Sequence, residues 1–343
     1  MTVSTANGRV LIVGATGFIG QFLVEASLDA GRPTYVLVRP SCVNHSKNKV
    51  AKALQDRGAI LLHGLANDKE LMEKLLKEHQ IEIVISAVGG DKILDQLSLV
   101  EAIKAAGTVK RFLPSEFGHD VDRADPVEPG LTMYKEKRQV RQLTETLAIP
   151  YTYICCNSIA SWPYYDNRHP SEVIPPLDQF QIYGDGSVKA YFVAGTDIGK
   201  FTMKTVDDIR TVNKSVHFRP ACNLYNINEL ATLWEKKIGR TLPRVTVTEN
   251  DLLSAAAENR IPQSIVASFT HDIFIKGCQV NFSIDGRNEI EVSSLYPNEP
   301  FRTLDDCFND FLVKMKDENM KQSNGIPAPK PVVETLAITA TCA

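Results

Sequence analysis

A glycine-rich segment near residue 14 has the spacing needed to bind the phosphates of a dinucleotide. Its glycines, Gly14, Gly17 and Gly20, follow the pattern Gly-x-x-Gly-x-x-Gly directly after a predicted strand. Glycines let the backbone turn tightly and bring the N-terminus of the next helix against a pyrophosphate. The sequence therefore predicts a dinucleotide site rather than a purely structural turn, with these contacts: Gly14, Thr16, Gly17, Phe18, Ile19 and Gly20.

The residue that ends the second predicted strand selects the dinucleotide. A carboxylate there would bind the ribose 2′-hydroxyl of NAD and repel a 2′-phosphate, but this chain has Arg39. Lys47, at the start of the next predicted helix, adds a second cation and a helix N-terminus. We therefore predict NADPH as the cofactor; two solvated surface cations are the alternative. Small residues at the end of the fourth strand are expected beneath the riboses: Ser86, Val88 and Gly89.

Lys137 is the candidate for the acid or base that a hydride donor needs beside its nicotinamide. Many dinucleotide-dependent dehydrogenases use Tyr-x-x-x-Lys, whereas here the lysine comes three residues after Tyr134 and Arg138 occupies the fourth position. Tyr134 and Lys137 still lie within one helical turn, and Tyr134 is expected to be a hydrogen-bonding partner in catalysis and to contact the substrate. A lysine partly removed from water can lose its proton near neutral pH, although its reference pKa is ~10.4. Lys137 is expected to contact cofactor and substrate, and a surface lysine in the basic run 135–141 is the alternative.

Two histidines are candidates for contact with the substrate. His119 follows a Phe-Gly pair at the carboxyl end of a predicted strand, where it could help a hydroxyl group leave or orient the substrate. Capping of the following turn is the alternative for His119. His271, between Thr270 and Asp272, could contact the substrate or take part in a local turn network.

Further contacts are expected on the two sides of the nicotinamide. Asn157, after the sixth predicted strand, is expected near the nicotinamide amide, and Ser158 and Met133 near the substrate. An aromatic cluster at residues 162–165 could form walls for a flat ligand, with core packing as the alternative.

The elements that must position these residues alternate along the first half of the chain. Strands are predicted at 9–13, 34–38, 59–62, 83–86, 111–113 and 151–155, and amphipathic helices at 17–30, 47–57, 68–78, 94–106 and 133–147. This alternation predicts an α/β fold with a doubly wound parallel sheet, the Rossmann fold. We assign residues 1–157 to the NADPH-binding domain.

The second half of the chain is expected to form a smaller α/β substrate lobe at residues 158–317, with some segments returning to the first domain. A hairpin is predicted around the glycines in 181–193, and helices are expected to start after Asp197, Asn228 and Thr303. Residues 318–343 are rich in Lys, Ser, Asn, Gly and Pro and are expected to form a flexible tail.

Composition restricts the class of ligand. The net charge is −3, with 38 basic and 41 acidic residues, so there is no electrostatic reason to expect nucleic acid or a membrane surface as partner. Residues 1–9 have no apolar run of the kind that a signal peptide needs, so a cytoplasmic protein is expected. The seven cysteines include no Cys-x-x-Cys pair, which argues against a zinc site or a disulfide framework. A small-molecule substrate and no metal are therefore expected, and the oligomeric state stays open.

Three motifs resemble those of the isoflavone reductase-like group of extended or atypical short-chain dehydrogenases. They are the glycine motif, residues 112–118 (Phe-Leu-Pro-Ser-Glu-Phe-Gly) and the pattern Lys137-x-x-Val140-Arg141. The resemblance covers about residues 8–315. It implies an NADPH-binding Rossmann domain, a small substrate lobe, a catalytic lysine at Lys137 and reduction at a benzylic carbon.

Three shorter segments resemble the leucoanthocyanidin reductase subfamily within this group: residues 111–114, 154–157 and 270–272. This resemblance implies flavonoid biosynthesis, a polyphenol substrate and removal of the C4 hydroxyl of a flavan-3,4-diol to give a flavan-3-ol. Hydride does not displace hydroxide directly from a saturated carbon at a useful rate. Deprotonation of a ring phenol with protonation of the leaving hydroxyl would first give a quinone methide, which hydride can reduce.

Three alternatives stay open. A sister reductase acting on an isoflavone, a lignan or a phenylcoumaran would share the cofactor site and the lysine. A regulator resembling NmrA would bind the dinucleotide without turnover. An interaction scaffold with a vestigial nucleotide site has little support beyond the C-terminal tail.

Overall fold

The computed structural model describes residues 8–40, 45–165 and 173–323. Within these ranges the strands are β1 (Val10–Val13), β2 (Thr34–Val38), β3 (Ile60–His63), β4 (Ile83–Ser86), β5 (Arg111–Leu113), β6 (Thr152–Cys155), β7 (Ser158–Ile159), β8 (Phe180–Tyr183), β9 (Lys189–Val193), β10 (Lys214–His217), β11 (Leu224–Asn226), β12 (Arg244–Val247) and β13 (Glu289–Glu291). The helices are α1 (Phe18–Asp29), α2 (His45–Asp56), α3 (Lys69–Glu78), α4 (Asp95–Ala106), α5 (Gly130–Thr146), α6 (Gly195–Thr205), α7 (Ile227–Ile238), α8 (Glu249–Ala257), α9 (Gln263–Phe274), α10 (Val292–Leu295) and α11 (Leu304–Ser323).

A parallel sheet forms the centre of the first half of the chain. Its strands lie in the order β3-β2-β1-β4-β5, so the direction of winding reverses between β1 and β4. A single bridge between Phe112 and Tyr151 connects β5 to the edge of β6, and β6 continues into the parallel set β6-β10-β13. The doubly wound parallel sheet predicted from the sequence is confirmed. In such sheets ligands bind at the carboxyl ends of the strands, where the winding reverses.

The central strands are apolar on both faces because helices cover both sides of the sheet. All four residues of β1 are buried, and alternate residues enter different cores. Leu11 and Val13 pack on one side of the sheet, and Val10 and Ile12 pack on the other. This continuous burial explains why short β-branched runs located these strands to within a residue or two.

Segments from the second half of the chain return to the Rossmann sheet. β10 pairs with β6, β13 pairs with β10, and α6 packs along α1. The predicted domain boundary at residue 157 falls between β6 and β7. Strands β10 and β13, which come after this boundary, nevertheless extend the sheet of the first domain. The remaining strands form the β7-β9-β11 sheet and the parallel pair β8-β12, with α7, α8 and α9 around them.

The hairpin predicted for residues 181–193 is wrong. Gly184 and Gly186 do have positive φ angles and turn the chain, but β8 pairs with β12, whereas β9 pairs with β7 and β11. The turn is tied to helix α7 because Asn228 Nδ2 donates to the Asp185 carbonyl at 2.9 Å. The two strands are thus directed to different partners.

Two predicted helix starts are displaced by two to three residues. α6 begins at Gly195, so Asp197 lies in its first turn, where its carboxylate accepts the Arg302 backbone N–H at 2.6 Å. α7 begins at Ile227, after Asn226, which forms a capping box with Glu229. The start after Thr303 is confirmed, since Thr303 Oγ1 accepts the Asp306 N–H at 3.1 Å.

Helix α11 continues to Ser323, past residue 318, where the predicted tail begins. Residues 324–343 lie outside the described ranges, as do residues 166–172 of the proline-rich stretch. Among the described residues, no helix combines the length and the apolar character that crossing a membrane requires.

Candidate functional site

The glycine-rich turn between β1 and α1 brings the backbone close to the neighbouring strand. Gly14 has φ +82°, and a Cβ atom there would lie 2.4 Å from the carbonyl oxygen of Ala87 after β4. A Cβ atom at Gly20 would lie 2.2 Å from the Gly14 carbonyl oxygen. Gly17 N–H closes the turn on that same carbonyl at 2.9 Å. Side chains larger than hydrogen would therefore separate α1 from the turn.

The start of α1 is free to receive an anion. Gly17 precedes the helix and provides no side-chain cap to its first N–H groups. A cavity of about 640 Å³ opens in front of them, at the carboxyl ends of β1, β2 and β4. The turn geometry and the uncapped helix N-terminus fit the pyrophosphate of a dinucleotide.

Most of the predicted cofactor residues line this cofactor cleft: Gly14, Thr16, Gly17, Phe18, Ile19, Arg39, Lys47, Val88 and Gly89. Arg39 and Lys47 lie at the edge formed by β2 and α2, where a 2′-phosphate would need cations. Gly20 and Ser86 do not line the cleft; both are buried beneath it. Gly20 lets α1 contact the turn, and Ser86 is the last residue of β4.

Lys137, His119 and Tyr134 form a buried group that the loop after β5 links to this cleft, although none of the three is among the residues that line it. Lys137 is 2% exposed, and its Nζ donates to the Glu116 carbonyl at 3.0 Å. Ser115, next to Glu116, donates its hydroxyl to the carbonyl of Val88, which lines the cofactor cleft. The loop after β5 therefore joins the lysine to the cleft wall.

His119 is paired with Tyr134. The distance between His119 Nδ1 and the Tyr134 hydroxyl oxygen is 2.6 Å, and the tautomer of the imidazole decides which atom donates. Burial, and secondarily the charge of Lys137, lowers the pKa of His119 to about 3. The imidazole is therefore neutral near pH 7, with Nδ1 engaged by Tyr134.

Helix α9 completes the surroundings of this pair through Phe269. The Phe269 ring stacks on Tyr134 with 4.7 Å between centroids and meets the edge of His119 at 6.3 Å. Sequence reasoning missed Phe269. The segment Thr270–Asp272 that follows it was a signal for α9, but it gave no indication that the preceding ring would contact a tyrosine 135 residues earlier in the chain.

A second cavity of about 630 Å³ adjoins the cofactor cleft and shares Gly90, Asp91 and Ile261 with it. Met133 lines this second cavity, one helical turn before Lys137 on α5, as does Glu136. Burial raises the pKa of the Glu136 carboxyl. The cavity is mostly apolar and has room for a flat organic ligand.

The other predicted substrate and nicotinamide residues have structural partners. Asn157 has φ +60°, and its Nδ2 donates to the Phe218 carbonyl at 2.9 Å. Ser158 Oγ accepts Gln279 Nε2 at 2.8 Å. His271 lies inside α9 and not in a turn, with Nε2 2.9 Å from Glu249 Oε1 on α8. These three residues line neither of the two cavities.

The aromatic cluster mainly packs the lobe. Trp162 is buried and stacks on Phe180 at 4.8 Å, and the ring of Tyr165 meets that of Tyr183 edge-on at 6.2 Å. Neither Trp162 nor Tyr165 lines the two cavities. The walls predicted from these aromatic residues are therefore provided by Met133 and the residues around it.

Composition did not predict a buried cluster of possible metal ligands, one of which lies in the loop after β5. Ligand atoms of Asp120, Cys155 and His217 lie within 4.8 Å of one another. Asp120 Oδ1, however, accepts Arg141 Nη1 at 3.0 Å. Burial raises the pKa of the Cys155 thiol well above its usual value, which disfavours the thiolate that a metal needs.

Comparison with known proteins identifies the family. The model of the NmrA-like family matches residues 6–308. The chain belongs to the NmrA-like family. Within it, leucoanthocyanidin reductase of Desmodium uncinatum is 64% identical to this chain, over 98% of this chain and 90% of that relative. Phenylcoumaran benzylic ether reductase IRL1 of Ginkgo biloba is 43% identical over 89% of this chain and 99% of its own.

A solved structure of a relative agrees with the similarity to leucoanthocyanidin reductases. The binary complex of leucoanthocyanidin reductase with NADPH from Vitis vinifera is 72% identical and covers 89% of this chain and 100% of its own, with a TM-score of 0.86. The resemblance to the isoflavone reductase-like group, and within it to leucoanthocyanidin reductases, is confirmed.

Proposed function

We propose that this chain is an NADPH-dependent leucoanthocyanidin reductase, which removes the C4 hydroxyl of a flavan-3,4-diol such as leucocyanidin and releases a flavan-3-ol such as catechin. The observation that carries the proposal is the buried group of Lys137, His119 and Tyr134 linked to a dinucleotide cleft, in a chain 64% identical to a leucoanthocyanidin reductase. The cleft residues Arg39 and Lys47 favour NADPH over NADH.

The proposed roles follow from proton balance. Neutral Lys137 Nζ takes the proton of an A-ring phenol, and the C4 hydroxyl leaves as water with a proton passed by His119, which gives a quinone methide. NADPH bound by the residues of the cofactor cleft would supply the hydride for C4. Lys137 returns its proton to the phenolate, and His119 regains one from solvent through Tyr134. The sum is diol, NADPH and one proton in, and flavan-3-ol, NADP⁺ and water out.

Burial bears differently on the two proposed proton carriers. Removal from water disfavours the charged form of a lysine, which is what the proposed role of Lys137 requires. His119 has a pKa of about 3 and is neutral near pH 7, so we propose that it acts as a relay, in which the proton that it gives up is replaced through Tyr134. Met133 and the apolar second cavity are proposed to receive the flat rings of the substrate. Asn157, Ser158 and His271 are proposed to support this site through their partners on neighbouring elements.

The test uses NADPH deuterated at the transferred position and a 2,3-trans-3,4-cis flavan-3,4-diol under anaerobic conditions, with products measured by mass spectrometry. Native protein should give a C4-deuterated flavan-3-ol, and Lys137→Ala should give none. Lys135→Ala is the matched control, because Lys135 is exposed on the same helix and pairs with Glu128. Equal product from native protein and Lys137→Ala would contradict the lysine's role.

The rival functions predict other results. A sister reductase would leave the diol unchanged and reduce a phenylcoumaran, a lignan or an isoflavone. A regulator resembling NmrA would bind NADPH without oxidising it in the presence of any of these substrates.

A further inference from the structure

One guanidinium group holds both ends of the loop that carries His119. Arg141 Nε and Nη2 donate to the two carboxylate oxygens of Glu116 at 3.0 and 2.8 Å. Arg141 Nη1 donates to Asp120 Oδ1 at 3.0 Å and to Asp122 Oδ2 at 2.8 Å. The five-residue loop 116–120 is thus fixed at its first and last residues by a single side chain.

This arginine lies away from solvent. The side chains of Arg141, Glu116 and Asp120 are 6%, 1% and 3% exposed, and the Arg141 guanidinium lies over the Tyr153 ring at 4.3 Å. Charged groups are costly to bury unless their geometry is well satisfied, and a planar guanidinium can engage two carboxylates in fixed directions. The contacts of this guanidinium therefore fix the loop conformation more precisely than the contacts of a flexible ammonium group would.

The loop fixed in this way provides two contacts to the proposed catalytic group. The carbonyl of Glu116 accepts Lys137 Nζ, and His119 lies between the two clamped residues. Arg141 is also four residues after Lys137 on α5, so the same helix presents the lysine and the clamp. A displacement of the guanidinium would move the carbonyl and the imidazole relative to Lys137 Nζ.

We propose that Arg141 is a positioning residue, which sets the relative placement of Lys137 and His119 by clamping Glu116 and Asp120. This inference rests on the proposed function for its catalytic consequence, whereas the clamp itself is a property of the loop. Arg141 contacts neither cofactor cleft nor second cavity, so it acts through the loop.

The experiment compares Arg141→Lys with Arg111→Lys. Arg111 is a matched control, because it is equally buried but donates to Thr152 and Thr211 at the opposite end of β5. Two measurements are made on the full-length protein: kcat and the KM for NADPH with the flavan-3,4-diol, and the ring ¹H–¹³C NMR signal of His119 in histidine-labelled protein. The His119 signal is assigned by its absence in His119→Asn.

We expect kcat to fall at least tenfold further in Arg141→Lys than in Arg111→Lys, with the KM for NADPH within about twofold of native in both variants. The His119 signal should move or broaden in Arg141→Lys and stay at its native position in Arg111→Lys. If Arg141 had a purely structural role, both variants would lose thermal stability, but the His119 signal would stay at its native position and kcat would fall equally in both. That result would overturn the proposal.

Two further outcomes are kept distinct. If native protein does not reduce the diol, the proposed function is wrong, and the His119 signal alone still decides whether Arg141 positions the loop. If Arg141→Lys does not fold, Asp120→Ala replaces it, since alanine removes the oxygen that Arg141 Nη1 engages. A native His119 signal and native kcat in Asp120→Ala would then overturn the proposal.

Discussion

At the scale of single residues, we expect cofactor choice to depend on two cations that line the cleft without being buried in it. Arg39 is the residue that follows β2 by one position, and Lys47 faces the same cleft from α2. A charge-assisted hydrogen bond contributes about 1.5–3 kcal/mol, which corresponds to roughly 10- to 150-fold in affinity.

We expect Arg39→Ala to weaken NADPH binding by about 10- to 150-fold and to change NADH binding by less than about threefold. The dissociation constants can be measured by quenching of protein fluorescence. Arg57→Ala is the control, because Arg57 pairs with Glu25 and Asp29 away from the cleft. An equal loss for both nucleotides would show that Arg39 does not contact the 2′-phosphate.

His217 should make the protein sensitive to acid. Burial lowers its pKa to about 4, from an ordinary value of 6.5. In the unfolded chain His217 binds a proton as the pH falls below 6.5, whereas in the folded chain it stays neutral down to about pH 4. Between these two pH values the unfolded chain binds more protons, so the free energy of unfolding decreases as the pH falls through this window. His119 acts in the same direction, whereas the lowered pKa of Asp120 matters only below its ordinary value of 3.8.

His217→Asn should reduce the pH dependence of the free energy of unfolding by up to about 1.4 kcal/mol per pH unit near pH 5. Urea unfolding at a series of pH values measures this slope. His63→Asn, at an exposed position, should leave the slope as it is in native protein. An unchanged slope in His217→Asn would mean that His217 is protonated in the folded state.

At the scale of elements, the local sequence predicts strand bounds and turns, but it does not predict which distant strands pair. The strands of the Rossmann sheet are short apolar runs buried on both faces, and their bounds were predicted to within about one residue. The turn around Gly184 was also predicted, but the partner of β8 was not. That partner is β12, more than 60 residues later, and nothing in the alternation of residues 181–193 encodes that choice.

The candidate site shows the same division. Lys137 and His119 were predicted because a family motif and a strand end mark them, and the structure brings both into one buried group with Tyr134. Phe269 and the carboxylates that Arg141 engages were not found as partners, because each contact joins elements far apart in the chain. Asn157 and Ser158 were placed correctly after β6, but their side chains have partners in the second half of the chain that sequence spacing does not reveal.

Two close contacts of α1 separate cofactor binding from helix packing: one at Gly20, within α1, and one at Gly199, on α6. A Cβ atom at Gly20 would meet the Gly14 carbonyl at 2.2 Å, and one at Gly199 on α6 would meet the Phe22 carbonyl of α1 at 2.4 Å. We expect both Gly20→Ala and Gly199→Ala to lower the midpoint of thermal unfolding by several degrees.

Only Gly20→Ala should also weaken NADPH binding, by at least about tenfold, because only Gly20 supports the phosphate turn. Calorimetric titration of the folded variants measures this difference. Gly8→Ala, where the nearest atom would be 3.4 Å away, is the control for both effects. Equal affinities in the two test variants would exclude a direct link between the turn and the cofactor.

At the scale of the whole molecule, the last helix divides into a buried start and an exposed continuation. Leu304, Cys307 and Phe308 are buried, and the Phe308 ring meets Trp234 edge-on at 5.6 Å. Further along, Val313 is 59% exposed. The family model also ends at residue 308.

Deletion of residues 324–343 should leave NADPH-dependent reduction of the diol within about twofold of the full chain, because both cavities are lined by residues before 266. Deletion from residue 304 should prevent folding, since several large apolar side chains leave the core. Steady-state kinetics and circular dichroism measure the two outcomes. A large loss of turnover in the shorter deletion would assign a role in catalysis to residues 324–343.

The pairing of β10 with β6 has a consequence for dissecting the protein. A fragment that stops at residue 157 would contain every residue of the glycine turn and of α5, yet it would end with β6 as a bare strand edge whose four residues are all buried in the intact chain. Exposed apolar edges pair with other copies and aggregate. The nucleotide-binding half is therefore not a transferable module, and a functional graft must include residues 214–217 and 289–291 as well.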